Sequence, residues 1–282
     1  MNYRHAYHAG SFADVLKHVV LTRIVEYLKR KEAAFRVIDT HAGIGLYDLA
    51  SDEAQRTGEW RSGIGRLVGH RFAPDAQILL QPYLDAVGIA ADTSELGEYP
   101  GSPLIARRLL RPQDRLFAIE LHPEDAVALK GLFAGDVQVR VLELDGWLAL
   151  GAQLPPKERR GLVLIDPPFE EDGEFGRMVT GLEKAHRRWP GGSYALWYPI
   201  KDRRAVTAFR EGLAECGIPK ILDVSLEVGA SSQDPTLDGS GMMVLNPPFV
   251  LVDELTVLLP PLTNALAAGP GARFAINWIS PG

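Results

Sequence analysis

The sequence predicts an α/β protein, a largely parallel sheet covered by helices on both faces. Three observations carry this. β-rich runs alternate with helical ones along most of the chain, and the first such run flows straight into a glycine-containing turn. A later run, residues 161–165, is apolar throughout, as expected of a central parallel strand buried on both faces.

Hydrophobic residues make up 46% of the 282 and charged residues 23%. That is ordinary globular usage, with enough apolar material for a core that needs no disulfide or metal. The single cysteine, Cys216, rules out an internal disulfide; with no Cys/His ligand cluster beside it, structural zinc is not expected either. Arg4, His5, His8, Asp14, Lys17 and His18 leave no room for a secretory leader. No run approaches the roughly 18 apolar residues that cross a bilayer, so a cytoplasmic protein with no membrane partner is expected.

The elements follow in order. Ser11-Phe12-Ala13-Asp14 reads as an N-cap with an acid in the first turn. The helix it opens runs to about residue 31, with Phe12, Val15, Val19 and Leu16, Val20, Ile24 as its apolar face. Residues 35–39 form the first strand. Further strands are expected at 116–120, 137–144, 161–165, 193–197, 222–228, 242–245 and 274–279, with helices at 123–133, 175–188 and 205–215 between the earlier ones. The last strands have short connections, so an antiparallel pair is expected there. Between Gly45 and Leu116 no strand is legible, whereas 54–68 and 76–91 carry helical patterns. Residues 47–101 therefore read as a mostly helical insertion within a single domain of residues 1–282.

The chemistry concentrates at strand ends, where open α/β sheets bind ligands. Asp39-Thr40-His41-Ala42-Gly43-Ile44-Gly45 is an acidic-x-x-x-Gly-x-Gly turn whose glycines let backbone pass close to a ligand. Glu120 closes the next strand, in the setting of an acid that grips ribose hydroxyls. Asp145-Gly146 closes the one after and is placed to meet an adenine edge. The apolar run 161–165 delivers Asp166-Pro167-Pro168-Phe169. The lone pair of an exocyclic aryl amine is delocalised into its ring, which makes it a poor nucleophile. Asp166 and the Pro167 carbonyl can both accept hydrogen bonds from that NH₂, localising the lone pair for attack on a methyl donor, and Asp166 can take the proton. Two prolines fix the backbone, and Phe169 offers a face for the target base. Asn246-Pro247-Pro248-Phe249 fits the same pattern, but follows a late strand on the antiparallel side, so a structural role is expected for it.

These segments resemble a known family over almost the whole chain. Tyr3-Arg4-His5-Ala6-Tyr7-His8-Ala9-Gly10, Ala13-Asp14-Val15-Leu16-Lys17-His18, Arg56-Thr57-Gly58-Glu59, Tyr99-Pro100-Gly101-Ser102-Pro103, Glu120-Leu121-His122-Pro123, Leu164-Ile165-Asp166-Pro167-Pro168 and Ala195-Leu196-Trp197-Tyr198-Pro199 all match it. The family is that of the bacterial large-subunit ribosomal RNA methyltransferase J, which methylates N6 of one adenine in 23S rRNA. The resemblance implies a Rossmann-like S-adenosylmethionine-dependent methyltransferase fold with a mostly parallel seven-stranded sheet, an inserted small helical subdomain and a monomeric state. It also implies that Lys17, His18, His41, Gly43, Ser102, Glu120, Asp145, Gly146 and Asp166 line the S-adenosylmethionine site. Asp166 would be the catalytic acceptor, and Tyr3 would reach the target-base pocket. The family usually carries tyrosine where Phe169 stands; stacking survives that change and a hydroxyl hydrogen bond does not. From the residues alone, Lys17 and His18 read as a solvated pair and Ser102 as an N-cap.

His5, His8 and His18 match no zinc spacing, and the chemistry needs no metal. A protein glutamine amide is the alternative methyl acceptor. A helical target adenine must be extruded, so naked 23S rRNA or an early assembly intermediate is the expected partner. The net charge of −6 argues against non-specific coating of nucleic acid. Four local basic groups nevertheless stand out: Arg107-Arg108 with Arg111 and Arg115, residues 157–160, residues 186–188, and residues 201–204.

Overall fold

The computed structural model describes residues 4–90, 92–170, 172–229 and 237–282. The elements run α1 (Phe12–Lys29), β1 (Arg36–Asp39), β2 (Leu46–Asp48), α2 (Asp52–Thr57), α3 (Glu59–Ser62), α4 (Pro74–Val87), β3 (Glu98–Pro100), α5 (Ser102–Leu109), β4 (Arg115–Glu120), α6 (Pro123–Leu132), β5 (Val139–Glu143) and α7 (Gly146–Ala152). They continue with β6 (Gly161–Ile165), α8 (Glu174–Arg188), β7 (Ser193–Ile200), α9 (Arg203–Glu215), β8 (Ile221–Glu227), β9 (Gly239–Leu245), α10 (Leu251–Leu266) and β10 (Arg273–Ser280).

The main sheet has the order β10-β8-β9-β7-β6-β1-β4-β5. β5, β4, β1, β6 and β7 pair in parallel, while β9 runs antiparallel between β7 and β8. The sheet thus has eight strands, the number of runs read from the residues and one more than the seven the resemblance implies. α10 returns the chain beside β8, and β10 pairs antiparallel with it, satisfying an edge that would otherwise present unpaired backbone groups. β1 has β4 on one side and β6 on the other, so strand order reverses there. The reversal opens a crevice at the carboxyl ends of β1, β4 and β6.

Alternation along β6 divides the core. Leu162 and Leu164 join one apolar cluster with residues of α1, α4, α5 and α10; Val163 and Ile165 join the other with α7, α8 and α9. α1 begins where the sequence placed it, with Ser11 accepting from the Asp14 amide. Its single expected apolar face is too narrow a description, because the helix is enclosed by the sheet, α4, α5 and α10. Asp14, Lys17, His18, Thr22 and Arg23 are all buried with it, which overturns the reading of Lys17 and His18 as a solvated pair.

The segment between β1 and β4 contains a short antiparallel ribbon, Leu46↔Pro100 to Asp48↔Glu98, where no strand was legible. Three residues per strand are too few for a period-2 pattern. The helical pattern at 54–68 is broken at Gly58, whose φ of 63° ends α2 in the left-handed region. α10 was also missed: Pro260 and Pro261 argue against a helix interior, but Leu251, Leu255, Leu258, Leu259, Leu262 and Leu266 bury one apolar side.

The Asn246-Pro247-Pro248-Phe249 motif follows the interior strand β9 and lies at the opposite end of the strands from the crevice. β9 runs against β7, so Leu245 pairs with Tyr194 at the start of β7, opposite the end at which β6 delivers Asp166. Asn246 holds a left-handed φ of 48°, and its amide donates to the carbonyls of Pro190 and Gly192, both at 2.8 Å. Asn246→Ala removes both bonds and keeps the unfavourable φ, so a loss of about 2 kcal/mol is expected. Urea midpoints check this; an unchanged midpoint, or a lost turnover with unchanged stability, contradicts the structural role.

Candidate active site

α1 brings the first charged group to the crevice. Lys17, only 3% exposed, reaches Asp14 Oδ1 at 2.7 Å and Asp166 Oδ2 at 2.5 Å. Burial alone pulls a lysine pKa down, but the two carboxylates outweigh it and hold Lys17 protonated. Asp14 is itself fixed by the Gly10 amide at 2.9 Å and by His5 at 3.0 Å. Burial pushes its pKa up, but His5 and Lys17 overcome this and keep it well below the usual carboxylate range. Among the described residues only Lys17 bonds to Asp166, so Asp166 Oδ1 is left to accept from a ligand.

The glycine turn is tied to the strand that delivers Asp166. The Thr40 amide and hydroxyl both donate to the Leu164 carbonyl, at 3.0 and 2.9 Å. The Gly43 amide donates to Glu120 at 2.8 Å, as does the His122 amide. Burial raises the Glu120 pKa and these backbone donors lower it, with a net rise. A Cβ on Gly43 would overlap the Tyr47 hydroxyl, and one on Gly146 would overlap the Thr40 carbonyl. Asp145 caps α7 by accepting from the Leu148 amide at 2.9 Å. Burial pulls the His41 pKa down to about 4, so its imidazole is neutral at ordinary pH.

These groups surround a cavity of about 660 Å³. Lys17, His41, Gly43, Ser102, Glu120, Asp145, Gly146 and Asp166 all line it, eight of the nine positions expected around a cofactor. His18, the ninth, is fully buried with Nδ1 2.7 Å from the Tyr99 hydroxyl and is not on the wall. Its Nε2 has no hydrogen-bond partner among the described residues. Ser102 is not an N-cap: Gly101 precedes α5, and the Ser102 hydroxyl donates to Asp39 Oδ2 at 2.6 Å.

In the Asp166-Pro167-Pro168-Phe169 segment, Asp166 and Pro168 line the cavity and Pro167 is buried. Phe169 is half-buried with a φ of 51°, its ring edge-on to Phe175 at 5.0 Å and Trp197 at 5.8 Å rather than on the wall. Tyr3 lies outside the described residues. Sequence reasoning did not assign Asp14, Trp147 or Arg177 to the site. The spacing of Asp14 and Lys17, three apart on a helix, could have revealed the first. Trp147 and Arg177 carry no signal until the fold brings α7 and α8 to the crevice.

The wall carries six carboxylates, Glu120, Asp125, Asp145, Asp166, Glu170 and Glu174, against Lys17 and Arg177. This arrangement favours a ligand with positive charge. Asp39, behind it, is pushed up to about 7 by burial; the Ser102 hydroxyl lowers it and the Asp166 charge adds to the rise. Between the unfolded value of 3.8 and about 7, the folded chain holds a proton that the unfolded chain has lost. Stability therefore falls as pH rises through that window. Asp39→Asn cannot ionise, so its stability relative to the parent is expected to improve from about pH 4 to about pH 7 and then level off. Urea titrations across pH check this, and a constant difference contradicts the burial argument.

Comparison with known proteins places this geometry. The family model described as Ribosomal RNA large subunit methyltransferase D, RlmJ, matches residues 32–280. Two proteins named Ribosomal RNA large subunit methyltransferase J, from Haemophilus influenzae and Escherichia coli, are each 42% identical over 281 residues, covering 100% of this chain and 99% of their own. The crystal structure of a Legionella pneumophila protein superposes with a TM-score of 0.86 at 32% identity, covering 96% of this chain and 98% of that one. No helix among the described residues is long and apolar enough to cross a membrane. With its sheet order, its glycine turn and Asp166 at the end of β6, the chain belongs to the RlmJ family of ribosomal RNA large subunit methyltransferases.

Proposed function

We propose that this protein uses S-adenosylmethionine to methylate N6 of one adenine in 23S rRNA. The observation that carries the reading is Asp166, anchored through Oδ2 by Lys17 and leaving Oδ1 to accept, at the wall of a glycine-lined, acid-rich cavity. That cavity fits the cofactor. Gly43 and Gly146 lie on the cavity wall, where a Cβ would collide with the Tyr47 hydroxyl and the Thr40 carbonyl, and Glu120 is placed to accept from ribose hydroxyls. The carboxylates suit a ligand with ammonium and sulfonium charges. When bound, S-adenosylmethionine supplies an electrophilic methyl group.

The chain's own groups do the rest. Asp166 Oδ1 and the Pro167 carbonyl accept hydrogen bonds from the target NH₂, turning the nitrogen lone pair toward the methyl donor. Asp166 then takes the proton that the amine loses as its new N–C bond forms. Lys17 holds that carboxylate in place throughout. The exposed part of the Phe169 ring is the surface we assign to stacking on the base. A protein glutamine amide, the other acceptor the motif allows, is not favoured, since the full-length relatives are named for ribosomal RNA.

The test is incubation with unmodified 23S rRNA and labelled cofactor, followed by nucleoside analysis. N6-methyladenine at one position is expected, with none on release-factor glutamine. Asp166→Ala is expected to lower kcat by about 10³-fold while cofactor binding persists. A label elsewhere than N6, or full turnover by Asp166→Ala, contradicts the proposal.

A further inference from the structure

We infer that the outward face of α8 is the track along which the RNA backbone beside the target nucleotide lies. This rests on the RNA-methylation reading and adds to it the surface that holds the substrate. α8 buries Met178, Leu182 and Ala185 in the core and turns Arg177, Lys184, Arg187 and Arg188 outward. Lys184 and Arg188 follow Arg177 by seven and eleven residues, which at 3.6 residues per turn returns them to the same side. Glu183 does not join them: it faces Cys216 at the end of α9, where its charge raises the thiol pKa after burial has done so.

The track starts at the active site, since Arg177 lines the cavity beside Asp166. It ends at the turn before β6, where Arg188 donates to the Leu154 carbonyl at 3.2 Å. In that turn Glu158 points inward to Arg36 at 2.8 Å, leaving Lys157 and Arg159 exposed. Two basic groups that are separate in sequence thus form one band. Lys184, Arg187, Lys157 and Arg159 have no carboxylate within ion-pair distance among the described residues. From Arg177 to Arg188 the helix spans about 16 Å, enough for several phosphates.

The first of the other two basic groups is committed elsewhere. Arg107 pairs with Asp136 and Arg111 with Asp114, while Arg108 and Arg115 donate to backbone carbonyls. In the second, Arg203 shares Glu227 with Arg273 and Asp202 caps α9, which leaves Lys201 and Arg204 as two exposed cations rather than a longer band. In a chain of net charge −6, Lys184, Arg187, Lys157 and Arg159 on α8 and the turn it touches offer a polyanion a longer band of uncompensated cations than Lys201 and Arg204 do.

The experiment uses the full-length Lys184→Glu/Arg187→Glu variant, with both substitutions on exposed positions and thermal unfolding as the folding control. Binding of an unmodified 23S rRNA transcript is measured by filter retention across a salt series, beside methyl transfer. Binding is expected to weaken about tenfold or more, with the log–log salt slope shallower by about 0.7 for each phosphate no longer neutralised. KM for RNA should rise in step, while kcat at saturating RNA and S-adenosylhomocysteine affinity stay unchanged. Lys201→Glu/Arg204→Glu, on the other basic group, is expected to stay within about twofold of the parent. Unchanged RNA binding and salt slope in the α8 variant, or a larger effect from the 201/204 variant, overturns the track. A parent protein that binds the transcript but does not methylate it counts against the methyltransferase reading instead, and leaves the binding comparison able to decide this one.

Discussion

A lysine buried between two carboxylates is the interaction on which the rest of this structure depends. Lys17 joins Asp14, on its own helix, to Asp166 at the end of β6, and so fastens α1 across the mouth of the crevice. Removing one partner of such a buried pair typically costs about 3–5 kcal/mol, because the remaining charge stays in a poor dielectric. The same row along α1 continues with His18 on Tyr99, Thr22 on the His18 carbonyl and Arg23 on Glu254. One helix therefore packs the core with its aliphatic residues and carries a polar seam that ends at Asp166, in which His18 Nε2 lacks a partner among the described residues.

The topology turns that seam into a site. Strand order reverses at β1, so Gly43, Glu120, Asp145 and Asp166 meet although they are far apart in sequence. Charge is divided across the result. The cavity wall is rich in carboxylates, while α8 and the turn before β6 present cations to solvent. A small cationic ligand and a large polyanion would each find its complement within one element of the other, which a uniformly acidic surface could not offer.

Much of this was legible in the sequence, and the failures have physical causes. β6 and the turn after β1 could be read because an apolar run and a glycine pattern are local signals. Lys17 and His18 could not, because burial of α1 on all sides is produced by α4, α5 and α10 closing over it, and helical spacing says nothing about a second layer. Ser102 looked like a cap because Ser-Pro commonly is one; only the approach of Asp39 gives its hydroxyl another partner. The two Pro-Pro-Phe motifs are nearly equivalent as strings. They differ in strand direction, since β6 runs parallel to β1 and β9 does not, and that sends Asp166 to the crevice and Asn246 to the opposite end of the strands.

The central claim is that an aryl amine is held by Asp166 and the Pro167 carbonyl with a methyl donor facing it. A crystal structure of the protein with a non-reactive S-adenosylmethionine analogue and an adenosine nucleotide tests this directly. The account requires the adenine N6 within hydrogen-bonding distance of both acceptors, on the side of the cavity toward the analogue's methyl-equivalent group. An adenine bound with N6 turned away from residue 166, or an analogue seated outside the cradle of Gly43, Glu120 and Gly146, would contradict it.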